Sequence, residues 1–474
     1  MLMPTLPSAE ITFANWYLHY NGLTFVVASK ASAMTEQVIP SNSGRRRFRR
    51  RLIRSPGLTI VGDDSARPLV PANRGFVATL DKPLLAIVIL LLIIGALMVY
   101  SSTFDWSNDT YGTATGFFVE EHLRNVLVSS MALIVFAAVD YRFWKRFSVW
   151  LLLFTIGALI AVLLIGDDKF GARRSLVGGR FQPGELAEFT VVVYLAAWLG
   201  SKNARVGSFF FGFLPFIMVV GVIAFLITQQ PDLSSAAIVA LTAGIMFFVA
   251  GANLLHILAM GGLLGAVAYI LIAGLGYAQN RIADFLAGLN DLTLTNYHTQ
   301  QAIAAFMKGG WTGVGLGQSA QKFGALPAPH TDSIFAVIGE EFGVLGAAVV
   351  VALYVALAIR GFRMARQARD TFGSLLCVGF TSWVIVQALL NIAVMTNAVP
   401  STGVPLPFIS FGGSSLLVVM IGVGLMLSVQ RVALRRKRAT ERRNEFANPD
   451  WGWGNRRSRL SSAGNRPGTI GRRQ

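Results

Sequence analysis

Charge and cysteine are both scarce in this chain. Only 14% of its 474 residues are Asp, Glu, Lys or Arg, while 54% are hydrophobic. Soluble globular chains carry about 25% charged residues, so composition excludes a soluble domain and implies a membrane protein. The shortage is also local: residues 371–430 contain no Asp, Glu, Lys or Arg at all. The one cysteine, Cys377, lies in that stretch. An intramolecular disulfide is therefore impossible, and a thiolate nucleophile is disfavoured in so apolar a setting. The chain also lacks a 20- to 50-residue repeat, a metal-finger spacing and a strand alternation. The glycines of "GGWTGVGLGQ" (309–318) follow no strand, so they read as tight turns rather than as a nucleotide loop.

The charge that is present is mainly basic, with 41 Lys and Arg against 24 Asp and Glu. It is clustered beside apolar runs. On the rule that a span needs about 20 mostly apolar residues, ten spans emerge: 83–101, 121–139, 147–166, 184–200, 208–228, 232–250, 254–275, 333–359, 373–397 and 411–430. The fourth and sixth are the weakest, because polar residues open them. The expected fold is thus an all-α integral membrane protein of ten transmembrane helices. Residues 1–81 form an Arg-rich N-terminal extension, 82–432 the membrane domain and 433–474 a basic tail. An even count puts both termini on one side. The clusters "RRRFRRRLIR" (45–54), "YRFWKR" (141–146), "SKNAR" (201–205), "RGFRMARQAR" (360–369) and "RVALRRKR" (431–438) all fall together. By the positive-inside rule that side is the cytoplasm, which predicts a multi-pass protein of the cytoplasmic membrane with both termini cytoplasmic. Basic arms beside spans meet anionic membrane lipid, and nucleic acid is not expected as a partner. Residues 1–34 lack the basic region of a secretory signal, and Met34 is a second candidate start.

Two extracytoplasmic segments stand out. "GDDKFGARRSLVGGRFQPGE" (166–185) carries Lys169, Arg173, Arg174 and Arg180 on the side where basic residues are not expected. It is either a loop neutralised by Asp167, Asp168 and Glu185, or an anion site built from guanidinium forks. The larger loop, 276–331 between helices 7 and 8, is rich in Gly and aromatics and reads as a built surface. Six carboxylates sit at or within spans: Glu185, Glu188, Asp232, Asp332, Glu340 and Glu341. An intramembrane carboxylate costs on the order of 3 kcal/mol on insertion scales. Pro183 and Pro231 precede two of them, which suits first-turn caps at Glu185 and Asp232; Asp332 could cap as well. At 1.5 Å per residue, Glu340 lies roughly 12 Å deeper than Asp332. Glu340 and Glu341 therefore read as buried structural support. Asp332, at the boundary beside His330, suits proton abstraction from a sugar hydroxyl.

Four ordered motifs then point to a family: "GARRSLVGGRFQPGELAE" (171–188), "QPDLSSA" (230–236), "GWTGVGLGQSAQKFGALPAPHTDSIFAVIGEEFG" (310–343) and "PSTGVPLPFISFGGSS" (400–415). Over residues 82–432 the chain resembles the SEDS family (shape, elongation, division and sporulation) of membrane peptidoglycan polymerases, which includes FtsW and RodA. "GLGQSAQK" and "PLPFIS" are closer to the FtsW pattern. The resemblance implies a glycosyltransferase that polymerises lipid II outside the cytoplasmic membrane, releasing undecaprenyl pyrophosphate, with a septal role in cell division favoured over elongation. It implies Asp332 as the catalytic residue. Arg173, Arg174, Glu185, His330, Gln318, Lys322 and Ser414 are the implied substrate-binding set. No tightly bound cofactor or metal ligand is expected, although a divalent cation (Mg or Mn) is a candidate requirement. The implied partners are a class B penicillin-binding transpeptidase and other division or elongation proteins. The chain departs from the family pattern "FQPSE", followed after two residues by Lys: Gly184 replaces the Ser and Glu188 the Lys. Arg173 or Arg174 is the expected compensating cation. "LPEAHTDF" appears as "LPAPHTDS", changing Ala328 and Ser333 as well. "PLPFISFGGSS" (405–415) either packs through its prolines and glycines or lines a cavity. Two other functions stay open, a lipid II flippase and a non-catalytic scaffold. Transporters tend to bind at the midplane between related halves, and neither feature is visible here.

Overall fold

Each of the ten apolar stretches folds as a helix in the computed structural model, which describes residues 79–169, 172–175, 182–274 and 276–447. In chain order the helices are α1 (Lys82–Tyr111), α2 (Arg124–Ala138), α3 (Arg142–Ile165), α4 (Pro183–Leu199), α5 (Leu214–Thr228), α6 (Leu233–Val249), α7 (Leu254–Gly274), α8 (Gly276–Asn290), α9 (Tyr297–Gly309), α10 (Ile334–Gln367), α11 (Thr371–Met395) and α12 (Gly413–Ala447). Single π-helical stretches, Phe118–Leu123 and Phe209–Phe213, lead into α2 and α5.

Eight of these helices are long and apolar enough to cross a membrane. The other two expected spans, α4 and α6, are 17 residues each, about 26 Å against a hydrocarbon core of about 30 Å. They lie inside the bundle: Ala187, Val192, Leu195 and Ala196 of α4 and Ala243, Met246 and Phe247 of α6 are fully buried. A helix that neighbours shield from lipid need not match the bilayer's thickness. At the other extreme, the apolar window of α7 has no buried residue, which fits a helix bathed in lipid on nearly every face.

The basic clusters at 141–146, 201–205, 360–369 and 431–438 share one end of the bundle. Arg360 pairs with Asp81, whose Oδ1 also caps α1 by accepting from Leu84 N at 3.0 Å. Arg431 donates to Ala138 O at 2.6 Å, Tyr141 N to Ser428 Oγ at 3.1 Å, and Thr371 Oγ1 to Gly200 O at 2.8 Å. The extension preceding residue 79 and the tail beyond 447 lie outside the described residues, and α12 itself runs past the expected boundary at 432.

At the opposite end, the short strands Asp167–Lys169 (β1) and Ala172–Ser175 (β2) form an antiparallel hairpin with Asp168 opposite Arg173. Seven residues are too few to leave an alternation in the sequence. The segment expected as a large loop is largely helical: it contains α8, a 3-10 turn (Leu292–Leu294) and α9, followed by an irregular stretch up to Ser333.

Helix α10 is broken at Gly343, which has φ 67° and ψ −167°. The break exposes carbonyls that hydrocarbon cannot satisfy. The stretch after α9 supplies the donors: Val314 N bonds Glu340 O at 3.0 Å and Gly315 N bonds Glu341 O at 3.0 Å. In return Val344 N donates to Gly310 O at 2.9 Å. Glycines are required because a Cβ at Gly313 would sit 2.1 Å from Glu341 O.

Candidate active site

Asp332 lies on the turn that enters α10, at the end of the bundle away from the basic clusters. Its carboxyl group is half-buried, and Thr331 Oγ1 donates to Oδ1 at 3.0 Å. It does not cap α10; Ser333 occupies the cap position. Among the described residues no cation is paired with Asp332. Gly403 lies beside it, and a side chain there would begin 3.6 Å from Oδ2, so glycine keeps that approach clear. The turn's backbone is tied to the bundle at three consecutive carbonyls. Phe411 N donates to His330 O at 2.8 Å, Ser410 Oγ donates to Thr331 O, and Asn391 Nδ2 donates to Asp332 O at 2.7 Å. The same Asn391 amide also reaches Val404 O at 2.7 Å, joining the 400–412 loop to the turn.

His330 sits in an aromatic setting. Its ring lies nearly parallel to Trp106 at 6.2 Å and within 5.9 Å of both Phe117 and Phe411. Burial lowers its pKa, and the nearby Asp332 carboxylate offsets part of that. The imidazole beside Asp332 is therefore held toward its neutral form.

The other candidates divide by location. Gln318 is exposed near the glycine stretch. Lys322, expected to bind substrate, is instead committed inside the protein. Its side chain is 3% exposed and its Nζ lies 2.8 Å from Glu341 Oε1. It also donates to Ser101 Oγ at 3.0 Å and Gly317 O at 2.9 Å. Burial and a full set of partners leave it nothing to offer a ligand. Glu341 also accepts from Ser101 Oγ at 2.7 Å. Glu340 accepts from Ser319 Oγ, from Ala320 N at 3.1 Å and from Gln321 N at 3.3 Å. The paired glutamates are thus structural supports, satisfied by hydrogen bonds and, for Glu341, by an ammonium group.

Glu185, Glu188 and Asp232 gather within the bundle. Glu185 lies within hydrogen-bond reach of Ser414 and electrostatic range of Asp232, and Glu188 senses both carboxylates. Asp232 caps α6, Oδ1 accepting from Ser235 N and Oδ2 from Ser235 Oγ, both at 3.0 Å. Glu188, which stands where the family pattern has a lysine, faces an indole: Trp383 Nε1 donates to Oε2 at 2.6 Å. Arg173 and Arg174 lie on β2, between α3 and α4, and their side chains are outside the described groups. Among the described residues no group of three or more His, Cys, Asp or Glu side chains is placed to hold a metal ion.

Sequence reasoning missed Asn391, Ser410 and Trp383. Asn391 carried a signal, being one of four amides in a 60-residue stretch without charge, where a polar side chain needs an interhelical partner. Ser410 and Trp383 act across long sequence separations that no local pattern reveals.

With this geometry in hand, comparison with known proteins is direct. A family model for the FtsW/RodA/SpoVE cell cycle proteins matches residues 82–434. The stage V sporulation protein E of Bacillus subtilis (strain 168) is 36% identical over 357 residues, which cover 74% of this chain and 97% of that protein. A protein of Geobacter sulfurreducens named "Probable peptidoglycan glycosyltransferase FtsW" is 35% identical over 353 residues, 74% of this chain and 94% of that one. Among solved structures, a chain of a peptidoglycan synthase complex that coordinates polymerization and crosslinking superposes with a TM-score of 0.61 at 23% identity, covering 75% and 98% of the two chains. The rod shape determining protein RodA of Thermus thermophilus superposes with a TM-score of 0.55 at 22% identity, covering 74% and 97%. The structural likenesses establish a shared multi-pass membrane fold.

Proposed function

The chain belongs to the FtsW/RodA/SpoVE family of cell cycle proteins, and from that premise we propose that it is a peptidoglycan glycosyltransferase. It polymerises lipid II on the outer face of the cytoplasmic membrane, in septal wall synthesis. The observation that carries this reading is the Asp332 turn: a half-buried carboxylate without a paired cation among the described residues, anchored by its own backbone and open beside Gly403. A carboxylate so placed accepts a proton; one locked to a cation does not.

The steps follow. The 4-hydroxyl of one disaccharide attacks the anomeric carbon of another, and its proton passes to Asp332. The bond from that carbon to the undecaprenyl pyrophosphate oxygen breaks, and the pyrophosphate leaves with the bonding pair. A positioned base contributes about 10²- to 10⁴-fold. Positive charge held in place beforehand lowers the barrier to departure, the role proposed for Arg173 and Arg174. The α10 entry, the 400–412 loop and the hairpin form the reactive rim, and the shared end of the basic clusters is cytoplasmic, with both termini there and all ten helices crossing. A class B penicillin-binding transpeptidase is the partner proposed to crosslink the product.

Purified protein reconstituted with lipid II tests this. Wild type is expected to yield glycan polymer, and Asp332→Asn none at equal folded amount. Normal polymer from Asp332→Asn removes the base, and movement of lipid II across the bilayer without polymer replaces polymerase with flippase.

A further inference from the structure

We propose that His298 is a positioning residue for Asp332, acting through Ser333 to brace the turn that carries the proposed base. The inference rests on the reading of Asp332 given above, and its argument begins with the backbone. The turn from Pro327 to Ser333 contains a non-glycine residue in left-handed geometry, Ala328 at φ 45°. Such a conformation persists only where the surroundings enforce it. Thr331 grips it from one side, its backbone N donating to Ala328 O at 3.1 Å.

Ser333 closes the turn. It is fully buried, and its hydroxyl donates to Pro327 O at 2.6 Å across the strained residue. With that proton committed, Ser333 Oγ presents only acceptor capacity, and His298 Nε2 lies against it. The imidazole must therefore donate from Nε2, so the hydroxyl chain runs His298 to Ser333 to Pro327. His298 is itself fixed, as the second residue of α9, with its backbone N–H bonded to the capping Asn296 Oδ1 at 2.9 Å.

The turn is thus held from two directions. Asn391, Ser410 and Phe411 tie the carbonyls of residues 330–332 to the inner bundle. The His298–Ser333 strut ties the Pro327 half to α9, in the segment between α7 and α10. Without it the Ala328 half can relax, and Asp332, one residue from Ser333, loses its aim. A displacement of about 1 Å at a reacting group can cost about 100-fold in rate.

The test uses the full chain in lipid with lipid II, alongside hydrogen–deuterium exchange of the peptide spanning residues 326–333. His298→Ala is expected to lower kcat about tenfold with KM within about twofold, since orientation rather than substrate contact is lost. His298→Gln, whose amide nitrogen reaches the place of Nε2, is expected to recover most of the rate. Ser333→Ala should match His298→Ala, and the double variant should be no worse than either, as for two members of one strut. Exchange at the Thr331 amide should quicken in His298→Ala. Wild-type kcat in His298→Ala, a loss confined to KM, or additive losses in the double variant would each overturn the strut while leaving Asp332 in place. If wild type makes no polymer, the proposed function falls instead, and exchange alone decides: an unchanged rate at Thr331 overturns the strut.

Discussion

Replacing Lys322 with Met distinguishes a structural lysine from a substrate-binding one. The perturbation removes an ammonium that is 3% exposed from a fully buried carboxylate, Glu341, 2.8 Å away. At an effective dielectric of about 20 the attraction between two such charges is about 6 kcal/mol. Desolvation of both cancels much of this, so the pair as a whole contributes little net stability. Breaking it is another matter. Lys322→Met strands Glu341 with Ser101 as its remaining donor, and an uncompensated buried charge costs about 3–5 kcal/mol. Glu341→Gln strands the ammonium with Ser101 Oγ and Gly317 O and should cost a similar amount. Removing both charges in Lys322→Met/Glu341→Gln leaves neither stranded, so the double variant should be more stable than the sum of the singles by about 2–3 kcal/mol. Reversible unfolding in mixed micelles measures the cycle, and polymer formation from lipid II is read on the same samples. A lysine that gripped substrate would give the opposite pattern, with lost activity, unchanged stability in Lys322→Met and no recovery in the double variant. Strictly additive stability losses would refute the reasoning.

Three further outcomes follow from the same geometry. Gly343→Ala forces a left-handed φ on an L-residue and drives its Cβ to 2.5 Å from Gly313 N and Trp311 O; a loss of about 3 kcal/mol or more is expected, read as a lower unfolding midpoint. Trp383→Phe keeps the ring but removes the donor 2.6 Å from Glu188, costing about 1–3 kcal/mol; adding Glu188→Met to Trp383→Phe should regain most of it. His330 sets a pH dependence. Its pKa is lowered in the folded chain by burial, against an ordinary value of 6.5, so the unfolded state binds the proton first. Stability is then present above about 6.5 and falls as the pH drops below it, and His330→Gln should flatten that slope in melting curves taken from pH 7.5 to 5.

Much of the fold could be read from the amino acids because the bilayer imposes a length and an apolarity on each span. The two helices that composition marked as weakest, α4 and α6, are also those too short for the standard rule. They are interior helices whose polar starts face protein, where hydropathy is a poor guide. The site was half legible. Asp332 and His330 stood out because charge and imidazole are rare beside apolar runs. Lys322 was misread because sequence distance hides that Ser101, 221 residues away, and Glu341 enclose it. Glu188 in the place of a lysine invited a search for an arginine to serve Glu185, whereas Ser414 lies beside Glu185 and an indole N–H from α11 meets Glu188. His298 carries no local signal in the sequence, and only the folded chain sets it against Ser333.

These partners also bear on why so apolar a helix opens with an aspartate and then carries two glutamates. Glu340 gathers a hydroxyl and two backbone N–H groups from the 319–321 stretch, and Glu341 holds Lys322. Both therefore anchor the segment after α9 onto α10. The break at Gly343 serves the same docking, since the carbonyls of Glu340 and Glu341 are taken by Val314 and Gly315 of the chain itself. An interrupted helix in a transporter leaves such groups for its cargo; here they are already engaged. Of the three acids at the head of α10 and within it, the one left with a single hydroxyl donor is Asp332. Deep acids that build the platform and one under-committed acid at its rim favour chemistry at the membrane surface over passage through its middle.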